Sequence, residues 1–184
     1  MSLRSELFLT AVEYDWCSSR IPAWRAVSST TLAFAYECFV DEMAVKAGKD
    51  PMKYQQEMAK GGSDLAKILT KLCEVSKWDR PLATGKGRGV AQYEFFAGHA
   101  GSVVEVFKQG ESLKIDKVYG VIDMGTVVKP GGVEEQVQSA LPTAITAATK
   151  KRHQFRKRKK QNNPATTYPN GELHHCGMNK ISYA

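Results

Sequence analysis

The chain has 184 residues, of which 42% are hydrophobic, 24% charged and 9% aromatic, enough for one domain and a modest surplus. That balance excludes collagenous, disordered and disulfide-scaffold classes, and no window approaches the roughly 18 consecutive apolar residues of a membrane span. The net charge of +7 is concentrated: residues 150–160 hold eight of the 26 Lys and Arg and no acid, leaving 18 bases against 19 acids elsewhere. A nucleic-acid-binding domain spreads its basic footprint over a folded face, so the body of this chain does not have that signature.

In chain order, residues 1–29 read as an extended or mixed segment, with Arg20-Ile21-Pro22-Ala23-Trp24-Arg25 as loop, because proline biases its predecessor away from helix. Met1 to Leu7 show neither an apolar core nor a small-residue cleavage site, which makes a cytoplasmic location the expectation. Leu32, Ala35, Tyr36, Phe39, Val40, Met43 and Ala47 then recur at three- and four-residue spacing, predicting a helix closed by Gly48. Asp50-Pro51 predicts a second helix to about Lys60, with Asp50 as N-cap and proline in the first turn. Ser63 caps a third, whose inner face is Leu65, Ile68, Leu69, Leu72 and Val75.

The period next switches from helix to strand. Strands are expected over Val90–Phe96, Ser102–Phe107 and Leu113–Asp123, the last two as a hairpin around Gln109-Gly110. Pro130-Gly131-Gly132 reads as a turn, Val133 to about Leu141 as a helix, and Pro142 as its end or a kink. The expected fold class is α+β, with helices on a small mixed or antiparallel sheet. The expected division is 1–29, a domain over 30–149, and a basic, poorly ordered tail over 150–184.

Few residues suggest chemistry. Gly85-Lys86-Gly87-Arg88-Gly89 has neither the spacing nor the following helix of a P-loop, so a flexible lead into a strand is the simpler reading. Glu37, Asp41 and Glu42 read as a solvated helix face, and Cys38 as a small buried hydrophobe. Asp123 ends a strand, where acids act or cap turns. His99 lacks a partner at triad spacing. Cys17, Cys38, Cys73 and Cys176 form no CxxC pair, and adjacent His174-His175-Cys176 make a poor chelate, so no metal site is expected.

Several segments in order carry a resemblance. Trp24-Arg25-Ala26-Val27, Ala33-Phe34-Ala35-Tyr36-Glu37-Cys38-Phe39-Val40-Asp41-Glu42-Met43-Ala44 and Ala47-Gly48-Lys49-Asp50-Pro51 resemble the large subunits of molybdenum hydroxylases. These form the xanthine dehydrogenase and aldehyde oxidase superfamily, and the isoquinoline 1-oxidoreductase β-subunit type is the nearest pattern. The likeness continues through Gly87-Arg88-Gly89-Val90-Ala91, Val118-Tyr119-Gly120-Val121-Ile122-Asp123-Met124-Gly125 and Val128 to Val137, covering about residues 20–140.

The resemblance implies part of a molybdopterin-binding domain. Arg25 matches an arginine beside the molybdenum that orients substrate or steadies developing charge; stacking on Trp24 or pairing with an acid is the structural alternative. Gln136 matches a glutamine on the molybdopterin, against a plain helix-surface amide. Ala100 and Gly101 match a cofactor loop and Phe96 a substrate-pocket residue, although a phenylalanine in an alternating strand also reads as core.

Intact relatives hydroxylate an aldehyde or N-heterocycle and pass electrons to a [2Fe–2S] subunit. Their molybdopterin is expected as the cytosine dinucleotide. The superfamily's catalytic glutamate, in a GxGEP-like motif, is not present in this sequence. The expectation is therefore a fragment inactive alone, holding no cofactor alone, and partnered by the rest of the molybdenum subunit and the iron–sulfur subunit. Beyond Ser139-Ala140, where the family has a glycine pair, only scattered echoes survive, as a disturbed reading frame would leave. The rival reading is a small non-catalytic protein binding nucleic acid or another polyanion through residues 150–160, with Phe155 available to stack on bases.

Overall fold

The structure, a computed structural model, describes residues 25–59, 61–149, 155–156, 159–160 and 178–183. Three helices, α1 (Ser29–Lys46), α2 (Pro51–Met58) and α3 (Asp64–Ser76), precede the strands β1 (Lys86–Phe95), β2 (Gly98–Gln109) and β3 (Ser112–Asp123). Helix α4 (Pro130–Thr149) follows, then β4 (Phe155–Arg156), β5 (Lys159–Lys160) and β6 (Met178–Tyr183). The sheet order is β1-β2-β3-β6; the first three strands are antiparallel and β6 pairs in parallel with β3, while β4 and β5 form a separate pair. This is the expected α+β arrangement with a mixed sheet. Residues 178–183, assigned to the tail by sequence, contribute its fourth strand.

Helices α2 and α3 start where their capping residues predict. Asp50 Oδ1 accepts the Lys53 amide at 3.1 Å, and Ser63 Oγ accepts that of Ala66 at 3.2 Å, each satisfying a first-turn donor that has no partner within the helix. Asp50 also accepts the Trp78 indole N–H, 3.0 Å from each carboxylate oxygen, tying the start of α2 to the end of α3. The apolar face of α3 carries the core: Ile68, Leu69 and Leu72 are fully buried against Val103 and Val121 of the sheet. Each such side chain stabilises the fold by about 1.5–3 kcal/mol relative to exposure. Val75, the last of the predicted face, is partly buried against the same cluster.

Helix and sheet approach closely because β2 has a glycine where they cross. A Cβ on Gly101 would lie 2.6 Å from Leu72 Cδ1 and 2.7 Å from Ile68 Cγ2. Below this cluster lies a charged layer. Buried Glu105 accepts from Arg80 Nη2 at 2.7 Å, Arg88 Nη1 donates to the Arg80 carbonyl, and the Arg88 guanidinium lies 4.4 Å above the Trp78 ring. The glycine-rich stretch is not a flexible lead: Lys86 to Gly89 are the first paired residues of β1, and Arg88 packs on Trp78.

Four expectations are corrected. Helix α1 buries Ser29, Glu37, Val40 and Ala44, whereas Phe39 and Cys38 are exposed. Its inner face is therefore rotated from the one that counting apolar residues selects, and Glu37 is not on a solvated face. Helix α4 begins at Pro130 and runs through Pro142. Pro142 cannot donate to the Gln138 carbonyl, but Gln138 is exposed, so water can satisfy that oxygen. Proline at the first helical position loses only a donor that would have had no partner. Finally, β1 and β2 form a second, unpredicted hairpin, closed by Phe96-Ala97 between the paired residues Phe95 and Gly98.

The edge of β1 is closed by a carboxylate. Glu37 Oε2 accepts the Gln92 backbone N–H and the Gln55 side-chain amide, both at 3.1 Å. An unpaired edge amide is a template for pairing with other chains; here α1 covers it with a side chain. Burial raises the Glu37 pKa from the ordinary 4.5 to about 7, against the lowering effect of the two hydrogen bonds.

Three measurements test this architecture. Gly101→Ala should cost about 1–3 kcal/mol through overpacking; an unchanged urea midpoint would show that α3 is not held against β2. The two residues of the Phe96-Ala97 turn have φ of 49° and 62°, the type I′ geometry that Asn-Gly adopts without strain. Replacing the pair with Asn-Gly should raise stability by about 1 kcal/mol or more, and a lower melting temperature would contradict the assignment.

The third concerns Glu37. With its folded pKa above the unfolded value, the folded state binds more protons between pH 4.5 and 7, so stability should fall as pH rises through that window, by on the order of 3 kcal/mol. Glu37→Gln should flatten that slope. Stability that instead rises through the window in both proteins would refute a buried, charge-averse Glu37.

Candidate functional site

The face of the sheet opposite α3 is built from small residues, among them Gly89, Ala91, Ala100, Ser102 and Gly120. Strand alternation puts them together, since residues two apart share a face. Small side chains leave space, and α1 and α4 flank it, forming an open cavity of about 940 Å³. Its lining is mostly apolar, with Phe34 from α1, Val104 and Ile122 from the sheet, and Val133, Val137 and Leu141 from α4. An apolar concavity with a few convergent polar groups is the usual form of a small-molecule site.

Of the sequence-selected residues, the structure brings Arg25, Gln136, Ala100 and Gly101 to this cavity or its rim. Gln136, Ala100 and Gly101 line it. Arg25 Nη2 donates to Gln136 Oε1 at 2.7 Å, and Nη1 lies 3.5 Å from Ser139 Oγ. Among the described residues Arg25 therefore pairs with an amide of α4 and with no acid. The turn that presents it has Ala26 and Val27 at φ of 66° and 48°, a left-handed conformation that a β-branched residue adopts only under constraint. Thr30 Oγ1 donates to the Arg25 carbonyl at 3.2 Å, and the Ser29 amide to that of Ala26 at 2.8 Å, closing the turn.

Ala100 and Gly101 sit in the central strand of the meander, with Tyr93 and Gln92 opposite on one side and Ile122 and Val121 on the other. Their backbones serve the sheet, and the missing Cβ of Gly101 serves α3. Phe96 stands apart: it is 89% exposed at the hairpin tip, its ring centroid 4.2 Å from that of Phe95. It is neither core nor cavity lining among the described residues.

Other candidates fall into structural roles. Asp123 accepts the Gly125 amide at 3.0 Å and so caps the turn after β3. His99 faces its cross-strand partner Glu94 at 3.9 Å. No group of three or more metal-ligating side chains occurs among the described residues. His174-His175-Cys176, Cys17 and Trp24 lie outside them.

Sequence reading missed Glu37, which also lines the cavity. Its signal was its place three and seven residues before Val40 and Ala44, the two fully buried apolar positions of α1. No helix among the described residues is long and apolar enough to cross a membrane.

Comparison with known proteins places the chain in a family. The chain is 26% identical over 150 residues to the β-subunit of isoquinoline 1-oxidoreductase from Brevundimonas diminuta, a match covering 79% of this chain and 19% of that protein. It is 28% identical over 164 residues to a membrane-bound aldehyde dehydrogenase [pyrroloquinoline-quinone] of Gluconacetobacter polyoxogenes, covering 76% and 20% respectively. A nicotinate dehydrogenase subunit from Pseudomonas putida is 27% identical over 149 residues, covering 71% of this chain and 13% of that protein. The chain thus spans a fifth or less of the length of these relatives. Residues 23–171 match the molybdopterin cofactor-binding domain, taking in Arg25, α1 to α4, the whole β1–β3 meander and the basic run, and the chain belongs to that family.

Proposed function

We propose that this chain supplies one wall of the molybdopterin site of a longer molybdenum-dependent oxidoreductase that acts on an aldehyde or an N-heterocycle. The observation that carries the reading is the 2.7 Å contact between Arg25 and Gln136, residues 111 apart in sequence, at the rim of a cavity in a molybdopterin-binding domain. When bound, molybdopterin would supply the two-electron redox centre. The protein's part is to hold one edge of it.

The residues fit that limited task. Gln136 Oε1 is occupied by Arg25, which fixes the amide and leaves its NH₂ as a directed donor. Arg25 adds a permanent cation whose planar fork keeps both groups in register. Ala100 offers a small apolar wall. Gly101 does not fit a direct cofactor contact through its missing side chain, because that space belongs to α3. Phe96 fits only where another segment of a longer protein brings the cofactor or substrate to the hairpin tip.

With one amide and one guanidinium, the chain by itself is too sparsely equipped to retain the cofactor, so the rest of a molybdenum subunit and a [2Fe–2S] subunit are the proposed partners, and the cytosine dinucleotide the proposed cofactor form. Residues 150–160 fall inside the family match, and the molybdopterin reading is preferred to the polyanion one because it accounts for the cavity and for Arg25 and Gln136.

Coexpression with the complementary part of a relative's large subunit and its iron–sulfur partner, in molybdate-fed cells, tests this. Molybdenum and pterin should copurify with the assembly and not with the isolated chain. Gln136→Ala should lower occupancy roughly 10-fold or more, in the range of lost supporting contacts around bound metals. Full occupancy in that variant, or pterin-free assemblies, would overturn the proposal.

A further inference from the structure

The cavity contains a second polar feature, independent of the Arg25–Gln136 pair. Glu37 is only 8% exposed and lines the cavity from α1. Both N–H groups that hold it, from Gln92 and Gln55, converge on Oε2. Oε1 makes no hydrogen bond among the described residues, yet it is not among their sealed, unsatisfied atoms. A buried carboxylate at the wall of an apolar cavity, with one oxygen anchored and the other without a donor among the described residues, costs free energy until a donor reaches it. We propose that Glu37 Oε1 is a ligand-recognition group, and that the cavity takes a planar aromatic molecule bearing a cationic N–H donor of the amidine class.

The chemistry matches on both counts. The apolar walls of α4 and the sheet offer surface to a ring, and small residues such as Ala91 and Ala100 leave room for it. A carboxylate that accepts from a charged donor makes one of the stronger hydrogen bonds in proteins, more so in low dielectric. Of the nearby groups, Asp41 on α1 is itself an acceptor, and α2 and β1 hold Glu37 through the neutral Gln55 and Gln92. The Arg88 guanidinium is directed to Trp78 and the Arg80 carbonyl, and the Lys129 stem packs on Gly132. Because burial favours the protonated form of Glu37 below about pH 7, an amidinium should bind more tightly above that pH than below it.

The test uses the full chain, with benzamidine as the probe and neutral benzamide as its isostere, by calorimetry at pH 6 and 8. Benzamidine should bind, more tightly at pH 8, and at least 10-fold more tightly than benzamide. Glu37→Gln keeps an oxygen for the Gln92 and Gln55 donors while converting the open oxygen to an amide donor. It should therefore lose at least 10-fold in benzamidine affinity while unfolding as cooperatively as the parent. Equal binding by that variant, equal binding of benzamide, or loss only in Asp41→Asn would overturn the assignment, as would no detectable benzamidine binding at pH 8. None of these readouts requires molybdopterin, so this inference and the cofactor proposal can fail separately.

Discussion

The fold depends on how the β1 edge is closed. A four-stranded sheet needs both ends managed, and the first end is managed by one carboxylate, Glu37, reaching from α1 to the Gln92 backbone and the Gln55 side chain. That contact joins three elements that apolar contacts alone would join less specifically: α1, α2 and the outermost strand. It also fixes the rotation of α1. Because Glu37 must face the strand edge, Val40 and Ala44 turn inward with it, Phe39 and Val45 turn outward, and Phe34 is left largely exposed beside the cavity. The large exposed apolar residues of α1 follow from where the acid has to go.

The same rotation positions the cavity. Arg25 opens the turn that leads into α1, so the placement of that helix helps determine where the guanidinium arrives on α4. Glu37 holds the middle of the helix to the sheet, and the Arg25–Gln136 contact spans its beginning and α4. Between these two polar points lies the small-residue face of the sheet. A bulkier strand set would have filled the gap with its own side chains, and no volume would remain between sheet and helix.

Much of this was legible in the sequence. Capping signals at Asp50 and Ser63 act locally, through bonds within one helical turn, so they can be read without knowing the fold. The apolar face of α3 was equally legible, because all its partners are apolar and periodicity alone selects it. The α1 face was not, because its inward direction is decided by a hydrogen bond to a strand some 55 residues away, and a hydropathy count treats an acid as outward by default. Pro142 does not end α4 for a related reason: the cost of proline in a helix depends on whether the freed carbonyl reaches water, which is a property of the surroundings. At the cavity, Arg25 and Gln136 were identified by resemblance, while their mutual contact is visible only in three dimensions. The resemblance marked Gly101 for a cofactor, whereas the space beside it is what α3 requires.

The two ends of the sheet are unlike, and this gives the domain a direction of growth. At β1 the Gln92 amide is held by a side chain, and a further strand pairing there would have to displace Glu37. At β3 the ladder continues into β6, which is parallel and far away in sequence, so that edge accepts a strand from a distant part of a chain without disturbing the antiparallel meander. A polypeptide several times longer can therefore add β structure at one flank only, and the Glu37 flank is where its sheet must begin.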